Sequence, residues 1–375
     1  MGSFLLHPEP DQNTFFSASE DNSSYINHGS HSPESGFGEP QETRTRRMLE
    51  LELMHFYVTE TGPSIAFDTP NSFHLFVKAI PKLALKSDAL LYSLYAIASL
   101  HQTKTSGGED WCIPSPGTIE AALERHQFYL QLAIEHHHRE LTTLSSLNVD
   151  AQMLTTHLMR INALVMLSDR SLQPYTPPVE WMRITESNKP IFLAAWELIG
   201  DDSCSETAKL IRTTRVAWDM DERAGFDKMQ GLQHLLPTPN DVDGYDAEEP
   251  EIRRAYESAL AYIGGTWQSM RRNEPLGPIG RRLMLFPLLV DKGFIELVGE
   301  ARPRALVIMA HYFSLLVVLE SYWYIGLTGR REVKAIASHL SADWQGLIEW
   351  PLHVIENGIP YTPGASPGDF STHAM

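Results

Sequence analysis

Cysteine is nearly absent from this sequence: Cys112 and Cys204 are the only two in 375 residues, and they lie far apart. Two isolated thiols give no disulfide framework and fit a reducing compartment. They also exclude a multi-cysteine zinc site built within the chain. Positive charge is scarce as well, with 30 Lys and Arg against 47 Asp and Glu, a formal net charge of −17. A surface that negative repels a phosphate backbone, so the chain is expected to be a poor direct binder of DNA. There is no basic, apolar leader at Met1 to Pro8, so no signal peptide is expected. The most apolar stretch, Ala305 to Ile325, is interrupted by His311, Ser314 and Glu320. It reads as a buried core helix and not as a membrane span, which wants about 20 residues with few polar groups.

Signatures of catalysis are missing too. No H-E-x-x-H, phosphate-binding loop or strand-anchored G-x-G-x-x-G occurs. Gly364-Ala365-Ser366-Pro367-Gly368 formally matches a nucleophile elbow. However, the residue after the nucleophile must donate its backbone N–H to an oxyanion, and Pro367 has none. His136-His137-His138, between Glu135 and Glu140, invites a metal. Three consecutive helical side chains point about 100° apart and cannot converge on one ion. No acid–base pair is singled out by spacing. The expectation is a protein that is not an enzyme, with no catalytic and no metal-ligating residues.

What the sequence does have is helical periodicity. Residues 1–43 are Ser-rich and acidic, with seven acids and no Lys or Arg before Thr43. Such a segment cannot bury enough apolar surface to offset its ordering entropy, and is expected to be a disordered linker. Its aromatics, Phe4, Phe15, Phe16, Tyr25 and Phe37, interleaved with acids, form a pattern found in activation segments, but composition favours a plain flexible linker.

From Arg44 the pattern turns helical. Leu49, Leu53, Phe56 and Tyr57 recur at helical spacing, and Gly62-Pro63 is expected to end the segment. Ser87-Asp88 opens a second helix through His101, and Ser115-Pro116 a third running to about Leu144. Asn148 caps the next. Further helices are expected over 189–199, 205–218, 251–272, 280–290, 302–324, 330–340 and 344–356, with an acidic loop at 240–251. No run of strands is apparent. The expected fold class is all-α, a single large domain of stacked antiparallel helices over 44–357, with a flexible tail at 358–375.

Two segments carry a family resemblance. Leu49-Glu50-Leu51-Glu52-Leu53-Met54-His55-Phe56-Tyr57, followed by Leu90 through His101, resembles the opening of the fungal transcription-factor regulatory domain. Phe76, Ile80, Pro81 and Leu83 fit between them, and Arg125-His126-Gln127 partly matches the next helix. Arg302 through Tyr312, then Glu320-Ser321-Tyr322-Trp323-Tyr324, Gly329-Arg330, Trp344, Glu349, Trp350 and Pro351 resemble the C-terminal end of sterol-uptake-control regulators. The resemblance covers about 49 to 356.

It implies a regulatory, ligand- or partner-sensing domain controlling sterol or specialised-metabolite genes, in the nucleus or else the cytoplasm. In that family a six-cysteine zinc cluster binds DNA, and this chain has none, so no cofactor is expected here. DNA would be reached only indirectly or through a cluster ahead of Met1. The alternative implied is a cluster-less partner that dimerises with full-length regulators and tunes them. Homodimers, heterodimers with related regulators and the transcription machinery are the expected partners. A hydrophobic small molecule such as a sterol is the expected ligand class, with Met309, Phe313, Leu316 and Trp323 as candidate pocket residues.

Overall fold

The computed structural model describes residues 43–67, 70–105, 116–199, 231–239 and 249–363, with 205, 206, 208, 229, 241 and 243. The N-terminal linker, both cysteines, the Gly364 to Gly368 turn and most of the helix expected at 205–218 lie outside them. The described residues are helical and contain no strand, so the all-α expectation holds.

The first half is α1 (Arg44–Phe56), α2 (Gly62–Ile65), α3 (Pro70–His74), α4 (Ile80–Ala84), α5 (Asp88–Thr105), α6 (Pro116–Leu141), α7 (Val149–Asp169), α8 (Val179–Glu186) and α9 (Lys189–Ile199). The second is α10 (Pro250–Arg271), α11 (Leu276–Leu289), α12 (Lys292–Gly299), α13 (Pro303–Leu315), α14 (Thr328–His339) and α15 (Glu349–Asn357). Helices α5 and α6 run antiparallel: Tyr92 meets His136, Ala96 meets His126 and Gln102 meets Arg125. As one index rises the other falls.

The start of α5 explains its stability. Ser87 caps it as expected, its Oγ accepting from the Leu90 N–H at 3.3 Å. Glu140 reaches across from α6, taking the Ser87 hydroxyl at 2.8 Å and the Ala89 N–H at 3.1 Å. A carboxylate at a helix N-terminus satisfies orphan donors and opposes the macrodipole. Glu140 also accepts from Gln152, which bonds His137 Nδ1 at 2.6 Å. The three histidines diverge as their spacing requires. His136 packs edge-on to Tyr92 with Nδ1 3.5 Å from Asp88, His137 faces Gln152 and Thr156, and His138 is exposed.

Helix α13 is the centre of the domain. Every residue from Arg304 to Leu315 is buried, as expected of a helix apolar on all sides. Tyr312 stacks on Phe286 of α11 at 4.2 Å and on Trp181 of α8 at 6.0 Å; His311 stacks on Trp350 of α15 at 5.7 Å. Its charged start is held by Arg304, whose guanidinium donates to Asp243, Asp241 and the Leu235 carbonyl and lies over the Trp344 ring. No single helix among the described residues is long and apolar enough to cross a membrane.

Two expectations need correcting here. The helix expected over 302–324 ends at Leu315, tightens into a 3-10 turn at Leu316–Leu319, and continues as turns to Leu327. Gly329 of α14 crosses where the helix ends, so closely that a Cβ there would lie 2.4 Å from the Phe313 carbonyl oxygen. Nor does Gly62-Pro63 end the first helical segment, which continues to Ile65.

Candidate functional site

The proline that was expected to stop the chain instead widens it. Residues Tyr57–Thr61 form a π turn closed by the Gly62 N–H on the Tyr57 carbonyl, immediately before Pro63. Leu75–Ala79 form a second, closed by the Ile80 N–H on the Leu75 carbonyl, immediately before Pro81. A proline lacks the N–H for the normal helical bond and presses on the carbonyl four residues back. A wider turn relieves that pressure and lets the helix go on. It also rotates everything after it by about 100° relative to an uninterrupted helix. Such turns are rare and occur often at functional sites.

The first π turn carries Tyr57 and Thr61 into the interior. Thr61 Oγ1 is 3.0 Å from Nδ1 of His101, near the end of α5. The His101 ring stacks on Trp323 with centroids 4.3 Å apart and planes 23° from parallel, while Phe56 packs at 5.5 Å. Trp323 Nε1 donates to Ser64 Oγ at 3.0 Å, and the Ser64 hydroxyl donates to the Thr61 carbonyl at 2.8 Å. These bonds tie Thr61, His101, Trp323 and Ser64 into one polar ring within apolar surroundings. Burial pushes the His101 pKa down to about 4, so the imidazole is neutral at pH 7. The Tyr57 hydroxyl is buried with no hydrogen-bond partner among the described residues, and burial raises its pKa.

The second π turn lies directly against the first. A Cβ on Gly62 would sit 3.0 Å from the Phe76 carbonyl oxygen and 3.2 Å from that of Tyr57. Glycine is needed for this approach. Gly62→Ala gains about 1 kcal/mol of helix propensity but meets carbonyls that cannot swing aside, at a cost of about 1–3 kcal/mol. A net loss of about 1 kcal/mol is expected in urea unfolding. A stabilised variant would show that the π turns part without strain.

The four residues expected from the sequence are divided between two places. Met309, Phe313 and Leu316 are buried in and just beyond α13, with Phe313 and Leu316 against Gly329. Trp323 is partly buried and stands in the polar ring with His101 and Ser64. Thr61, Ser64 and Tyr57 were not singled out from the sequence, although the X-Pro pairs at 62–63 and 80–81 were the visible signal. Arg170, after α7, also joins the halves: its guanidinium makes two 2.8 Å bonds to the buried Glu332 of α14.

Comparison with known proteins bears on what this junction serves. The family described as Fungal specific transcription factor domain matches residues 52–173, which include the π turns and His101. The Zn(2)-C6 fungal-type transcription factor afumD of Aspergillus fumigatus is 30% identical over 281 residues, covering 73% of this chain and 69% of that protein. The chain belongs to the fungal Zn(2)-C6 transcription-factor family. A Zn(2)-C6 fungal-type transcription factor of Gibberella zeae is 23% identical over 328 residues, 82% of this chain and 62% of that protein. Sterol uptake control protein 2 of Candida albicans is 22% identical over 282 residues, 72% of this chain and 36% of that protein. The chain thus spans about two thirds of the first two family members and about a third of the last. The alignment with the Gibberella zeae protein covers 82% of this chain and so extends well past the residues that the family description matches.

Proposed function

We propose that residues 44–357 are the regulatory domain of a fungal transcription regulator, and that they respond to an apolar small molecule carrying a hydroxyl, a sterol being the first class to test. The observation that carries the ligand reading is the buried Tyr57 hydroxyl, which has no partner among the described residues. Leaving such a group unsatisfied costs about 1–3 kcal/mol. A ligand hydroxyl reaching it would recover that loss. Trp323 and His101 supply flat faces in the adjacent ring, and relatives named for sterol uptake control favour a sterol over other apolar alcohols. Met309, Phe313 and Leu316 remain the candidates for the wall contributed by the α13 region.

The test is thermal unfolding of the full chain with and without ergosterol. Ergosterol is expected to raise the Tm of the wild type. Tyr57→Phe is expected to be more stable than wild type by about 1 kcal/mol without sterol, and to show a smaller rise with it. No rise with any sterol removes the sterol reading and leaves the transcription-factor family untouched.

A second reading is favoured by Ile119, Leu123 and Ile134, exposed apolar side chains recurring along one face of α6. In it the chain dimerises with related regulators and tunes them. Light scattering showing a strict monomer, with no association with a purified family member, removes it.

A further inference from the structure

Arg160, in the middle of α7, is 9% exposed and has no carboxylate partner among the described residues. The other two arginines buried to this degree among those residues are both neutralised. Arg304 is held by Asp243 and Asp241, and Arg282 lies 3.4 Å from Glu274. What Arg160 has is a ring nitrogen: its Nη2 is 2.9 Å from Nδ1 of His157, one turn back. A guanidinium can only donate, so Nδ1 accepts and the proton of the neutral ring sits on Nε2. That Nε2–H has no acceptor among the described residues. The pair therefore offers donors and no acceptors, with a full positive charge behind them. On one side it is bounded by Phe76 of the second π turn, whose ring centroid is 5.6 Å from that of His157.

A buried charge with no counter-charge is among the costliest features a fold can carry, and Arg160 has none among the described residues; a fold that needed only bulk here could use Leu or Met. We infer that Arg160 and His157 form a binding site for an oxyanion, presented by a small organic acid whose apolar part lies against Phe76, or by free phosphate. The planar fork of Arg160 matches either oxyanion in bidentate fashion, while His157 takes up one Nη2 hydrogen and so fixes the orientation of the fork. Burial together with the Arg160 charge pushes the His157 pKa down to about 3, so the ring stays neutral at pH 7. The second positive charge that two cations would bring is thereby avoided. The site goes beyond the sterol reading, since a sterol carries no charge, and it lies beside Phe76 of the second π turn.

The full chain is titrated with sodium octanoate, sodium phosphate, 1-octanol and sodium chloride while its Tm is followed, with ergosterol as a separate arm. A saturable rise with octanoate, absent with 1-octanol and chloride at equal concentration, is expected. Arg160→Met is expected to abolish it, and Arg160→Lys to weaken binding at least about tenfold, because an ammonium lacks the fork. His157→Phe is expected to retain a weaker response. A response to phosphate with octanoate silent assigns free phosphate as the oxyanion and upholds the site. No saturable rise with either anion overturns it, as does a rise unchanged in Arg160→Met. Should that variant fail to fold, an octanoate affinity in Arg160→Lys equal to wild type overturns it instead. An ergosterol response with both anions silent separates failure of this site from failure of the sterol reading.

Discussion

Arg304→Met is expected to remove about 3–5 kcal/mol of folding stability, the largest loss of any single substitution considered for this chain. The guanidinium is 2% exposed and gives Nε to Asp243 Oδ2 at 2.6 Å, Nη2 to Asp241 Oδ2 at 2.8 Å and Nη1 to the Leu235 carbonyl at 2.9 Å. Its Cζ lies 5.1 Å from the centroid of the Trp344 ring. Methionine restores most of the volume and none of the donors. Asp243, 5% exposed, would be left buried beside an uncompensated carbonyl. Asp241 is more exposed and can be rehydrated, so Asp241→Asn is expected to cost under about 1 kcal/mol, in the range of ordinary surface pairs. Urea unfolding of the three proteins checks both. A loss under about 1 kcal/mol for Arg304→Met would show that Asp243 is wetted when its partner goes.

Acid is expected to unfold this protein well before carboxylate protonation is complete. Burial pushes His101 and His311 down to about 4 from an ordinary value of 6.5, and lowers His126 and His137 as well. Between pH 6.5 and 4 the unfolded chain binds protons at these positions that the folded chain refuses. Stability therefore rises with pH across that window, is fully present above 6.5, and is lost as pH falls toward 4. Each of His101 and His311 contributes on the order of 3 kcal/mol to that loss. Glu332 acts in the opposite sense, because burial raises its pKa and favours the protonated folded form in acid. The histidines outnumber it. The Tm is expected to fall by roughly 10 °C or more between pH 7 and 4.5. His101→Phe should flatten the dependence by one proton, about 1.4 kcal/mol per pH unit. A Tm constant over that range would mean that these rings titrate normally in the folded state.

The long helices were legible because their signals are local. Ser87 before Asp88, the periodic run from Leu90 to His101 and Pro116 at the head of α6 act within a turn or two, and α5 and α6 follow them. Asn148 was read as a cap and does precede α7, but its carboxamide oxygen accepts from the Ser145 N–H instead of from the helix. Helix α12 was missed. Asp291 caps it, accepting from Gly293 at 2.8 Å, but a glycine in the first turn hides a segment of eight residues. The break after Leu315 could not be seen either, since the crossing at Gly329 is a tertiary contact. The π turns show the same limit most clearly. Gly62-Pro63 and Ile80-Pro81 are visible as letters, yet whether a proline ends a helix or widens it depends on what packs around it. Of the candidate site, Trp323 was among the pocket candidates on the apolar segment that begins at Ala305; His101 lay in a segment of family resemblance without being assigned a role. Tyr57, Thr61 and Ser64 come together only in three dimensions.

The stack of His101 on Trp323 also sets a timetable for synthesis. The two residues are 323 − 101 = 222 positions apart. At about 5–20 residues per second, the ring that covers His101 emerges roughly 10 to 45 seconds after it. During that interval α1, α5 and both π turns leave the ribosome with Phe56, His101 and the Tyr57 face uncovered. The segment that the family description matches thus waits for a cover that the second half of the chain supplies.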